Sequence, residues 1–86
     1  MSEPKPLRFT RHADDVIVER KLDRSWIEMT VRRPDWSSPD PVRAGVERRF
    51  REIPDNGGRI LRVACSESEE EIRILTVFFD RNARRP

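Results

Sequence analysis

Eighty-six residues allow one domain at most, with a thin core, because a chain this short buries a smaller share of its surface than a longer one. Charged residues make up 40% and hydrophobic residues 35%, and 18 Lys and Arg against 16 Asp and Glu leave a net charge of only +2. Composition therefore excludes a transmembrane segment and a strong uniform field, and a single cysteine excludes an internal disulfide.

Residues 1–6 contain Pro4 and Pro6, lack the apolar run of a secretion signal, and read as a flexible tail of a cytoplasmic protein. Leu7, Arg8 and Phe9 fit a short strand. Thr10 is placed to cap a helix reaching about Lys21, in which Asp14 and Asp15 meet the positive end of the dipole and Ala13, Val16 and Ile17 form a buried stripe. Asp23 can cap a second helix starting at Arg24, with Leu22 stapled onto Ile27. Trp26, Ile27, Thr30 and Val31 share its apolar face, and Pro34 stops it.

The stretch Pro34 to Gly45 carries Pro39, Pro41, Asp35, Asp40, Ser37 and Ser38 and predicts a loop, anchored by Trp36. Three strand-like runs follow, Val46 to Ile53, Arg59 to Ser66 and Glu71 to Asp80. Asn56-Gly57 is expected to supply the positive φ of a tight turn between the first two, and Glu67 to Glu70 a solvated connection between the last two. Regular alternation puts Leu61, Val63 and Cys65 on one face, and separates Ile72, Ile74 and Phe78 from Leu75, Val77 and Phe79. The expected fold is α+β: a short N-terminal strand, two helices and a three-stranded antiparallel meander in one domain, 7–80, followed by a basic tail, 81–86.

Candidate chemistry rests on one histidine and the arginines. His12 falls in the first turn of the first helix, where a neutral imidazole can act as a general base or simply bond locally. From Pro41 to Val63 there are six arginines against three acids, whereas Met1 to Asp40 holds eight charges of each sign. Arg48, Arg49, Arg51, Arg59, Arg62 and Arg73 lie on consecutive strands, where guanidinium groups can bind phosphate or pair with Glu47, Glu52 and Glu71 across the sheet. Arg62 and Arg73 each interrupt an apolar strand. One His and one Cys do not make a zinc site, and Gly57-Gly58 lacks the pattern of a phosphate-binding loop, so no metal and no cofactor is expected.

The stretch Phe9-Thr10-Arg11-His12-Ala13, with Glu19-Arg20, Leu22, Trp26-Ile27, Val31 and Pro34, resembles an uncharacterised family of small bacterial domains whose opening helix reads H-A-x-x-R-M-x-E-R-G-I. Gly58-Arg59-Ile60-Leu61-Arg62-Val63 and Ile74-Leu75-Thr76-Val77 are similar to later segments of that family. Val16 stands where the pattern has arginine, and Lys21 where it has glycine. The order of elements also resembles RelE and BrnT type toxin ribonucleases. That resemblance implies a metal-independent endoribonuclease of a toxin-antitoxin pair, acting on RNA, free or on the ribosome, and neutralised by an antitoxin protein. His12 and Arg20 match the motif; with Arg62 and Arg73 they form the expected catalytic set. The alternative is a noncatalytic module of the same fold that binds protein or nucleic acid, or an inert remnant of such a toxin.

Overall fold

The computed structural model describes residues 4–86, so the first half of the expected tail lies outside the described residues. The second half is tied to the domain. Pro6 O accepts from Ile72 N at 3.0 Å, Lys5 O accepts from Arg32 Nη2 at 2.8 Å, and Lys5 Nζ pairs with Glu67 Oε2 at 2.7 Å.

Strand β1 (Leu7–Phe9) leads directly into helix α1 (Arg11–Arg20) through Thr10. The Thr10 hydroxyl accepts from Ala13 N at 3.2 Å, which caps the helix, and donates to Ile74 O at 2.9 Å, which fastens the cap to the sheet. Helix α1 ends where Lys21 turns to φ 54° and its N–H reaches the Ile17 and Val18 carbonyls. Asp23 then accepts from Ser25 N at 2.8 Å and caps α2 (Arg24–Arg32), so only three residues separate the helices. The C-terminal carbonyls of α2 are satisfied from the sheet: Arg49 Nη1 donates to Val31 O at 2.9 Å and Arg51 Nη1 to Arg33 O. Two of the strand arginines are therefore helix-end caps.

The remaining elements are β2 (Trp36–Pro39), β3 (Glu47–Ile53), β4 (Arg59–Glu67) and β5 (Ile72–Phe79), and the sheet order is β1-β5-β4-β3-β2. The sheet thus has five strands. The expected three-strand run is extended by β1, parallel to β5, and by β2, antiparallel to β3. The stretch read as a loop contains β2 because Trp36 lies flat on Phe50, with centroids 4.8 Å apart and planes 7° apart, and because Pro39 ends an edge strand, where a missing N–H is tolerated. Between β3 and β4, Pro54–Asn56 form a 3-10 turn, and Gly57 and Gly58, not Asn56, take the positive φ values of 67° and 72°.

Strand β5 departs from regular alternation. Ala64 pairs with Thr76 but Cys65 pairs with Ile74, so Leu75 is an extra, bulged residue. Ile72 and Ile74 face the helices before the bulge, Val77 and Phe79 after it, and Phe78 turns to the opposite side. This corrects the expected grouping of Phe78 with Ile72 and Ile74. The core between helices and sheet is built from Ala13, Ile17, Ile27, Val31, Leu61, Val63, Cys65, Ile74 and Val77. Among the described residues no helix covers the other sheet face. Among the described residues no helix is long and apolar enough to cross a membrane.

Thr10→Val removes both roles of the hydroxyl while keeping a β-branched side chain. It is expected to lower stability by about 1–2 kcal/mol in urea unfolding, with Thr10→Ser close to wild type.

Candidate functional site

The four residues singled out in the sequence lie in different parts of the fold. His12, exposed in the first turn of α1, has its Nε2 3.5 Å from the Thr76 hydroxyl, at the rim of β5 just past the end of β1. Arg73 is exposed on β5, paired across β1 with Arg8, and its Nε lies 3.8 Å from Glu71. Arg62 sits on the open sheet face, its guanidinium 4.2 Å from the centre of the Phe78 ring and 3.0 Å from Asp80. Arg20 stands eight residues beyond His12, about 12 Å farther along the axis of α1, on the helix side of the sheet. The structure does not gather these four around one point.

The open face carries a cross-strand row of Phe78, Arg62, Phe50 and Trp36. Its arginines are already matched with acids: Arg62 with Asp80, Arg48 with Asp40, and Arg85, which lies 5.8 Å from the Trp36 ring centre, with Asp35 and Glu52. Burial, and then the neighbouring charge of Arg48, pull the Arg62 guanidinium below its usual range. Asp40 closes the β2–β3 loop: N–H groups of Arg43 and then Val42 hold its carboxyl down, from the ordinary 3.8 to about 2. An incoming anion must compete with these carboxylates.

The opposite situation holds at the end of the sheet where β4 begins and β5 finishes. Among the described residues, Arg20, Lys21, Arg59, Arg81 and Arg84 have no carboxylate within salt-bridge distance, and apart from them only Arg11 and Arg33 lack such a partner. These five cations line two adjoining clefts. One, about 330 Å³, is formed by Arg20, Lys21, Leu22, Trp26, Asn56, Arg59 and Phe79. The other, about 290 Å³, is lined by Arg59, Ile60, Phe79, Arg81 and Arg84, together with Asp80, whose carboxylate is held by Arg62. The Arg59 guanidinium lies 4.5 Å from the Phe79 centroid, and Phe79 meets Trp26 edge-on at 6.0 Å.

Several local features build this pole. The left-handed turn at Lys21 ends α1 beside the β3–β4 connection, and the bulge at Leu75 puts Phe79 on the helix side under Trp26. At the other end of β4, roughly 26 Å away along the strand, Glu67 ends the strand and Glu69, Glu70 and Glu71 follow in the β4–β5 connection. Charge is thus compensated at that end, Glu67 by Lys5 and Arg49 and Glu71 by Arg8 and Arg73, and left uncompensated at the pole. Of the pole residues only Arg20 belonged to the expected catalytic set; Lys21, Trp26, Arg59, Phe79, Arg81 and Arg84 lie at element ends, and no spacing in the sequence links them. Among the described residues no three His, Cys, Asp or Glu side chains gather as metal ligands would.

The fold and pole together define a small α+β domain with one concentrated cluster of free cations. Residues 9–79 match the family model described as Domain of unknown function (DUF4258), which covers most of the chain, and the chain belongs to that family. Neither a curated protein nor a solved structure matches it significantly.

Asp40 has a depressed folded-state pKa, so the stability it contributes is complete above 3.8 and is lost as the pH falls toward about 2. Urea midpoints followed from about pH 5 down through this window are expected to fall more steeply for wild type than for Asp40→Asn.

Proposed function

We propose that the domain is a binding module for single-stranded nucleic acid and that the basic pole is its contact surface. The observation that carries this reading is the segregation of charge: the arginines of the open face are neutralised, whereas those of the pole are not. Free guanidinium and ammonium groups bind phosphates without first losing a carboxylate partner. The adjoining aromatic rings favour nucleic acid over a purely acidic peptide, since bases stack on aromatic and guanidinium planes. Two small clefts suit one flexible strand better than the broad surface of a duplex.

A metal-independent endoribonuclease is the second reading. It is favoured by His12, whose imidazole is exposed beside the Thr76 hydroxyl at the edge of the open face. It needs His12 and the arginines to serve one scissile phosphate, and the distance of Arg20 from His12 argues against that arrangement. The resemblance of its element order to toxin ribonucleases supports it only by fold analogy, and a neutralising protein partner belongs to this reading alone.

Fluorescence anisotropy with a labelled single-stranded RNA separates these possibilities. Wild type is expected to bind with steep salt dependence. Arg20→Ala and Arg59→Ala each weaken binding and lower the slope of log K against log salt by about 0.7, whereas Arg73→Ala leaves it unchanged. No binding by folded protein at low salt would overturn the nucleic-acid reading. RNA integrity followed in a translating extract with chelator tests the second reading, which requires cleavage by wild type and none by His12→Ala.

A further inference from the structure

The two clefts at the basic pole are not independent, because Arg59 and Phe79 line both. Arg20 and Lys21 supply positive charge on one side of this shared wall, and Arg81 and Arg84 on the other. One phosphate in a single pocket does not call for cations on both sides. Two phosphates separated by one sugar do.

The wall itself offers a stacking surface. Phe79 covers one face of the Arg59 guanidinium, and Arg59 is an exposed residue whose other face is available to a base. Guanidinium planes accept bases in this way, giving an aromatic, guanidinium and base sandwich. Asn56, in the first cleft, carries both a donor and an acceptor within its amide and can meet a sugar hydroxyl or a base edge. Asp80 is the one acid lining the second cleft. Its two carboxylate oxygens are engaged, Oδ2 by Arg62 at 3.0 Å and Oδ1 by Asn82 N at 2.9 Å, so its charge is partly offset.

We infer that the pole seats one nucleotide together with both of its flanking phosphates, a nucleoside 3′,5′-bisphosphate unit, astride the Arg59–Phe79 wall. This rests on the nucleic-acid reading above and adds to it a defined repeat of the strand. Arg20 and Lys21 hold one phosphate, Arg81 and Arg84 the other, and Arg59 holds the base. The ligand is distinguished from a generic polyanion by needing both the spacing of the phosphates and the base between them.

Displacement of labelled RNA by adenosine 3′,5′-bisphosphate, by the 5′- and 3′-monophosphates and by inorganic diphosphate tests this seat. The bisphosphate is expected to compete at least about tenfold better than either monophosphate and better than diphosphate. Its advantage over the better monophosphate should collapse in Arg81→Ala/Arg84→Ala. Arg59→Lys, which keeps the charge and loses the planar stack, should weaken the bisphosphate more than diphosphate. Circular dichroism checks that each variant is folded. Equal potency of mono- and bisphosphate, or diphosphate matching the bisphosphate, would overturn the seat while RNA binding stands. Failure of folded wild type to bind RNA at all would instead remove the reading on which the seat depends.

Discussion

The extra residue at Leu75 is the constraint on which most of the arrangement depends. A strand with perfect alternation would carry Ile72, Ile74, Thr76 and Phe78 on one side, and either a hydroxyl or a second set of apolar residues would face the wrong environment. One bulged residue lets both halves of β5 contribute to the same core, Ile72 and Ile74 before it, Val77 and Phe79 after it. It also turns Thr76 toward the rim where His12 sits and gives Phe78 to the open face as a platform for Arg62. The floor of the basic pole is a product of the same shift, since Phe79 reaches Trp26 and Arg59 only from the helix side. A local irregularity in the ladder thereby sets the chemistry of three surfaces.

An arginine-rich sequence of this size invites a single explanation for its arginines, and the structure separates them into groups. Arg49 and Arg51 point to the helix side and occupy the carbonyls at the end of α2, where positive charge also favours the negative end of the dipole. Arg48 and Arg62 lie over the open face between Asp40 and Asp80, each costly to desolvate and each balanced by a carboxylate. The third group, at the pole, has no carboxylate partner among the described residues and no backbone carbonyl from a neighbouring element to satisfy. Of these three groups, the last has its charge still to be matched.

Much of the architecture could be read from local chemistry. Thr10, Asp23 and Pro34 mark the helix ends because capping and the missing proline N–H act within a few residues, and the apolar alternation of β4 follows from the pleat alone. The features that depart from a local reading share a cause. Strand β2 was hidden because its pairing depends on Trp36 finding Phe50 fourteen positions later, which outweighs the prolines and serines around it. The bulge was hidden because it is a property of how β5 meets β4, not of either strand. The candidate site was legible at Arg20 and, as one of six strand arginines able to bind phosphate, at Arg59. Its other members come from the end of a helix, a turn, a strand end and the tail, and such a cluster has no periodicity for a sequence to display. Residue type and position in a strand or helix single out His12, Arg62 and Arg73 but do not determine their distance to one another.

The glutamates at the β4–β5 end have cations beside them, Lys5 and Arg49 on Glu67 and Arg8 and Arg73 near Glu71, whereas five cations at the opposite pole have no such partner among the described residues. A nearby polyanion is drawn to this uncompensated end before any contact forms. Productive encounters then make up a larger fraction of collisions than the net charge of +2 would imply. Neutralising Glu67 or Glu71 would release cations at the far end and create a competing attraction there without touching a contact residue, so these acids influence the rate of association more than the lifetime of a complex.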